Sequence, residues 1–248
     1  MTNTTTAEKI SNSSNEPVHQ VVRDLDELIA NHMRNVVEQT ELIRLVSSPE
    51  SRPELVAALV RHTMLESYSF TPSLCSTTLR AIGKMPHDMP DAMKQAFLHV
   101  YEELDHSELA LRTFLALGGD ERWARERRMT PGSVAFCGAF DRLVDHVGGI
   151  TSVAVWYALE VMTCDLTQRA MTWLEAKGIG QDRREFIDVH AKDDIAHQRS
   201  MRNLMGKFAK KYPNYADDLV YAGRVILSVY PAAIWCDVAA RAKADVGA

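Results

Sequence analysis

Apolar residues recur with a period near 3.6 through almost the whole chain. Near the N-terminus they fall at Val21, Val22, Leu25, Leu28, Ile29, Met33, Val36 and Val37. Side chains three and four apart share one face of a helix, so this repeat specifies amphipathic helix. No stretch alternates as a half-buried strand does. Glycines and prolines mark the boundaries. A first helix is expected from Val18 to Val46. Pro53 opens a second, which should kink or break at Pro72 and resume to about Lys84. A third runs from Asp91 to Leu117 and stops at Gly118 and Gly119. A fourth ends near Val147 before Gly148, and a fifth covers Thr151 to Lys177 with Gly178 as its stop. A sixth spans Asp182 to Lys211 and a last one Ala216 to Ala244. The chain reads as one all-α domain of about seven helices over residues 17–248. Residues 1–16, rich in Thr, Ser and Asn, read as a disordered tail.

The chain has 248 residues, 46% of them hydrophobic and 25% charged, with a net charge of −5. That length can bury a sizeable core, and the charge argues against nucleic acid as a partner. Cys75, Cys137, Cys164 and Cys236 are far apart in apolar contexts and read as free thiols. The sequence has no secretion signal and no run of about 18 apolar residues, so neither export nor a membrane span is expected and a cytoplasmic location is the simplest.

Several helices carry polar residues where only packing is needed. In Glu185–Met201, His190 and Asp194 share a face, as do Asp193 and His197. Imidazole with carboxylate suits iron, zinc or manganese. Asp is a poor helix former, so two in mid-helix need a reason, with a solvated face as the simpler one. Glu103 and His106 stand three apart. An apolar stripe centred on Leu104, with Phe97, Leu111 and Leu115, turns Glu103 nearer the core and Glu102 towards solvent. Glu160 sits in VAVWYALEVMTC, apolar on nearly every face, where a carboxylate must be paired, protonated or bound to metal. Glu66 lies in another apolar run, four residues after His62, which could be its local partner. Glu66, Glu103, His106, Glu160, Asp193 and His197 together have the composition of a carboxylate-bridged di-iron site in a helical bundle. Glu66 to Glu103 and Glu160 to His197 are each 37 residues apart, as two pseudo-equivalent halves would be.

On this pattern of an isolated Glu, Glu-x-x-His, an isolated Glu and Asp-x-x-x-His, the chain resembles the heme-oxygenase-like di-iron oxidases and oxygenases over residues 18–245. That group includes the 1-alkene-forming fatty-acid decarboxylase and amino-acid-modifying biosynthetic enzymes. The resemblance implies a seven-helix heme-oxygenase-like bundle. It also implies two Fe(II) ions per chain, with O2 as co-substrate for oxidising an organic molecule. His99, His190 and Asp194 are then candidates to support the ligands from behind. Asp194 with His197 would instead mimic the closing motif of ferritin-like iron proteins. Thiaminase-like hydrolases share the helical fold without needing the ligand set. Heme oxygenases use one axial histidine, for which His19 and His32 are candidates.

The expected substrate is a small carboxylate, either an amino acid or its derivative, with a fatty acid as the alternative. Arg61, Arg169, Arg199 and Arg224 are candidates to receive its carboxylate. Tyr68, Trp156, Tyr157, Met162 and Thr163 are candidates to shape its pocket. An external electron donor and a homodimer are compatible with such chemistry.

Overall fold

The computed structural model describes residues 20–247, so the N-terminal tail and His19 lie outside the described residues. Among these, no strand occurs. Nine helices have eleven residues or more, against the seven expected, and two are shorter. In chain order they are α1 (Gln20–Asn35), α2 (Glu41–Ser47), α3 (Pro53–Gly83), α4 (Pro90–Glu103), α5 (His106–Ala116) and α6 (Glu121–Glu126). There follow α7 (Pro131–His146), α8 (Thr151–Glu175), α9 (Glu185–Lys211), α10 (Ala216–Val229) and α11 (Ala232–Val246).

The higher count arises because three expected helices divide. The first stops at Asn35, passes through a 3-10 turn at Val37–Gln39, and restarts where the Thr40 hydroxyl accepts the Ile43 amide. Such a cap satisfies one of the amides left unpaired at a helix start. The third yields at Leu104 and Asp105, between α4 and α5. The last is broken at Tyr230–Pro231, a cis peptide bond. Conversely, α3 continues past Pro72 without a break. Proline removes one amide donor from the ladder. Ser69 and Thr71 hydroxyls bond the carbonyls of Leu65 and Ser67 in the same turns.

The long helices α3, α8 and α9 form the centre. α8 packs chiefly on α9 and also on α10, while α3 packs on α5, α7 and α11. Every residue from Thr151 to Glu160 is buried, so the first half of α8 is enclosed on all sides. This is what an all-round apolar helix requires. Arg184, only 2% exposed, fixes the turn from α8 to α9. It pairs with Glu175 at 2.8 Å and Asp188 at 3.0 Å, and donates to the Met171 carbonyl. The segment Pro213–Val246 is apolar enough to cross a membrane by length and composition, against the expectation that none would be. It is two helices, and Leu219, Ile226, Ile234 and Val238 are buried in the bundle.

Helix α4 departs from the expected stripe. Phe97 and Leu104 are exposed, while Ala92, Ala96, His99, Val100 and Glu103 face inward. Glu103 is buried as expected and Glu102 exposed, but the face that enters the core carries small apolar residues with His99 and Glu103, and the large apolar side chains turn outward.

The contact between the end of α3 and the start of α8 is close enough to require glycine. A Cβ on Gly149 would meet the Ala81 carbonyl oxygen at 2.0 Å, whereas one on the exposed Gly138 of α7 meets nothing. Gly149→Ala should therefore destabilise the fold by roughly 1–3 kcal/mol, as overpacking does. Gly138→Ala should stabilise it by about 0.5–1 kcal/mol through helix propensity. Thermal unfolding of the two variants checks both signs.

Candidate metal centre

Three helical segments converge on one buried cluster. The junction of α4 and α5 supplies His99, Glu103 and His106. The middle of α8 supplies Glu160, and α9 supplies His190, Asp194 and His197. His99, Glu103, Glu160, His190 and Asp194 are each at most 6% exposed.

Two groups of nitrogen and oxygen atoms lie within 4.8 Å of one another: His99, Glu103, Glu160 and His197, and then Glu103, His106 and His190. Glu103 belongs to both. Its Oε2 is 2.6 Å from His106 Nδ1 and its Oε1 is 3.3 Å from His197 Nδ1. His197 Nδ1 also lies 3.6 Å from Glu160 and 4.0 Å from Asp194, and His99 Nε2 is 3.3 Å from Glu160 Oε1. Despite these distances, the two nitrogens of His99, Nδ1 of His106 and His197, and both oxygens of Asp194 are buried without a hydrogen bond. Buried polar groups almost always have partners, and leaving one unpaired costs about 1–3 kcal/mol. Nitrogen and oxygen atoms converging on Glu103 with so few hydrogen bonds among them are what a cation would satisfy. The chemistry of the set, imidazole plus carboxylate, fits iron.

Other contacts orient these rings. His190 Nδ1–H donates to the Phe186 carbonyl at 2.8 Å, and its ring stacks on Phe186 at 3.8 Å, which leaves Nε2 free. Glu102 approaches His197 Nε2 at 3.0 Å, so Nδ1 is the nitrogen turned inward. An acceptor behind the ring, bonded to one nitrogen, fixes which nitrogen of a histidine can bind metal.

Burial dominates the electrostatics. It lowers His99 and His190 to about 4, so both are neutral at pH 7. Burial raises Glu160, and it raises Asp194, with the charges of Glu160 and Glu103 adding to the shift. Burial alone would also raise Glu103, but the imidazoles of His106 and His197 hold it well below the usual range. Burial would lower His197 and His106, yet Glu103 lifts both, with Glu160 contributing at His197. The metal-free cluster is thus a set of carboxylates competing for protons, with Glu103 as the settled anion.

Of the six residues expected to bind metal, the fold brings together Glu103, His106, Glu160 and His197. Glu66 and Asp193 belong to neither group, although Glu66 lines the same cavity as the cluster. Asp193 is exposed, because α9 turns Asp194 inward in its place. Glu66 is 1% exposed but fully engaged. Its Oε1 accepts from Arg127 at 2.6 Å and Arg241 at 3.2 Å, and its Oε2 from Thr130 at 2.9 Å and Ser133 at 2.6 Å. His62 is not its partner but bonds Asp245. His99, His190 and Asp194, expected behind the ligands, stand in or beside the groups themselves. The sequence signal for them is a repeat: His99, Glu103 and His106 have the spacing His-x-x-x-acid-x-x-His, and His190, Asp194 and His197 have the same.

The cluster opens on a cavity of about 170 Å3. Glu103, His106, Glu160, His190 and Asp194 form part of its wall. Most of the rest is apolar, including Leu42 and Ile43 of α2, Phe136 and Trp173, and no lysine or arginine among the described residues lines it. Trp156 and Thr163 line it as expected, whereas Tyr68, Tyr157 and Met162 do not. Arg61 is paired with Asp245, and Arg169 with Glu38 and Asp165.

Comparison with known proteins agrees with this architecture. The structure superposes on a domain of unknown function with a heme-oxygenase-like fold from Shewanella denitrificans, at a TM-score of 0.76 and 16% identity over 95% of this chain and 97% of that one. It also matches a TenA homologue from Pseudomonas syringae (TM-score 0.67, 13% identity, 90% and 91% covered). A CADD-like protein of unknown function from Nostoc punctiforme gives 0.65 at 14% identity, with 89% and 98% covered. The fold is therefore heme-oxygenase-like. No curated protein matches the sequence. The family model for iron-containing redox enzymes matches residues 58–230, and the chain belongs to that family.

Glu66 offers a direct test of its separate role. Glu66→Gln should leave Arg127 and Arg241 without a counter-charge and cost roughly 3–5 kcal/mol of stability, as breaking a buried ion pair does. Iron uptake by the folded variant should equal that of the unaltered protein. Calorimetry together with metal analysis measures the two effects separately.

Proposed function

We propose that this chain is a non-heme di-iron oxidase or oxygenase that uses O2 to oxidise a small carboxylate substrate. The observation that carries the reading is the set of buried nitrogen and oxygen atoms of His99, His106, Asp194 and His197 left without hydrogen bonds around Glu103, beside a largely apolar cavity. His99, Glu103, Glu160 and His197 would hold one iron. Glu103, His106 and His190 would hold the other, with Asp194 completing the anionic charge. Ferrous iron held by these residues would supply reducing equivalents for O2 chemistry beside the cavity.

The protein's own residues have three tasks. The apolar wall excludes water and holds the substrate against the cluster. Glu102 and the Phe186 carbonyl hold the rings of His197 and His190 in a ligating orientation. Glu160 and Asp194, whose carboxyls burial raises, give up protons as cations enter, because ligands bind in their deprotonated forms.

The wall favours a carboxylate with an apolar body over a free amino acid. A zwitterion would need a counter-charge for each end, and among the described residues no lysine or arginine lines the cavity to receive its carboxylate. A carboxylate would instead lie at the end of the cavity formed by the cluster, with its body against the apolar wall. A hydrolase of the thiaminase type has no use for the unpaired cluster. An iron store would oxidise Fe(II) without an organic partner.

Anaerobic loading with Fe(II) should give close to two iron per chain by metal analysis. Asp194→Ala and His190→Ala should fall to one or fewer, whereas Asp193→Ala should load as the unaltered protein does. Equal loading of the Asp194 and unaltered proteins, with loss in Asp193→Ala, would return the outer aspartate to the site.

The reduced protein should also consume O2 slowly alone and at least about tenfold faster with a matching substrate, a barrier change of about 1.4 kcal/mol. A panel of medium-chain fatty acids and amino acids, read by an oxygen electrode and product analysis, tests this. O2 uptake indifferent to every organic acid, with a mineral core forming, would contradict it.

A further inference from the structure

The two halves of the cluster are built alike. Folding pairs the first histidine of each His-x-x-x-acid-x-x-His segment with the last histidine of the other. The His99 and His197 rings are 4.9 Å apart, and those of His106 and His190 are 4.5 Å apart. Their surroundings differ. His106 and His190 are among the described residues that line the cavity, whereas His99 and His197 are not. The His99 half brings four ligating residues within reach of one another, and the His106 half three. A metal site with fewer protein ligands keeps a position for an outside molecule.

Trp156 stands where this difference arises. It lines the cavity and meets His99 edge to face, with ring centroids 4.8 Å apart and planes at 80°. Its indole is fixed in place. The Nε1–H donates to the Thr78 hydroxyl oxygen at 2.7 Å, and that hydroxyl donates to the Leu74 carbonyl at 2.8 Å. Trp156 and Thr78 are both buried. A buried indole usually finds one partner for its N–H, and here the partner decides which way the ring faces. Trp156 and Glu160 lie one turn apart on α8 and share a face. The His99 half therefore touches the cavity only through its carboxylates, Glu103 and Glu160.

We propose that Trp156 is a positioning residue that closes the His99–His197 half of the cluster to the cavity, so that a small anion or a substrate carboxylate enters only beside Glu103, His106 and His190. The proposal rests on the di-iron reading above and gives it a direction. Two halves of like sequence become unlike in access, one held closed by an indole and the other left open to the substrate.

Cobalt(II) serves as the probe for the cations and azide as the probe for the anion. Metal analysis counts cobalt per chain, and visible absorption reports how much of it changes coordination. In the unaltered protein, saturating azide should alter one of two cobalt ions. In Trp156→Leu the other should respond as well, so that the absorption change roughly doubles. Trp156→Phe, which keeps a ring against His99, should behave as the unaltered protein. A tryptophan that served only to pack the core would leave the azide response equal in all three. Circular dichroism reports whether each variant is folded. If Trp156→Leu is not, diffraction from azide-soaked crystals of the cobalt-loaded unaltered protein decides, with azide expected beside His106 and His190. Azide at both cobalt ions of the unaltered protein, at neither, or beside His99 and His197 would overturn the proposal, as would an unchanged response in folded Trp156→Leu. Failure of the cluster to take up cobalt would contradict the di-iron reading itself, and this proposal with it.

Discussion

The structure depends on the burial of a charged, hydrogen-bond-poor cluster inside a bundle whose remaining core is apolar. Three carboxylates and four imidazoles are drawn from water at the junction of α4 with α5, α8 and α9. Without a cation, like charges repel, Asp194 and Glu160 are pushed towards protonation, and six side-chain atoms of His99, His106, Asp194 and His197 go unpaired. Such a group is costly in a medium of low dielectric. The long apolar helices around it supply the opposing stability. The enclosed first half of α8 holds Glu160 in place, and the Arg184 ion pairs fix how α8 meets α9.

Membership of the iron-containing redox family gives this cost a purpose. The same atoms that destabilise an empty cluster would bind a cation, and their convergence on Glu103 provides one carboxylate between two groups of ligands. The break at Leu104–Asp105 belongs to this design. It sets His106 at the first turn of α5 while Glu103 closes α4, so both face the same point although the helix is interrupted between them.

Much of the fold was legible in the sequence. The 3.6 period and the glycine stops at Gly118, Gly148 and Gly178, all at positive φ, located most helices. The period could not reveal where a continuous pattern would divide, as at Thr40 and Pro231, because breaks there leave the apolar spacing intact. It also misdirected α4, where the larger apolar side chains point outward and the core side carries His99 and Glu103. Pro72 was a misleading signal for the opposite reason, since α3 tolerates one missing amide.

The site was legible in part. Glu160 stood out because nothing in its own helix could pair with it. Glu66 looked alike in sequence, but its partners, Arg127 and Arg241, lie 61 and 175 residues away, beyond any local reading. Asp193 and Asp194 are adjacent, and only the rotation of α9 against α8 decides which enters the core. The most direct test of the central claim is diffraction at the iron absorption edge from crystals loaded anaerobically with Fe(II). The account predicts two anomalous peaks between α4, α5, α8 and α9, both in contact with Glu103. No peak at this cluster, or a peak against Glu66 instead, would contradict it.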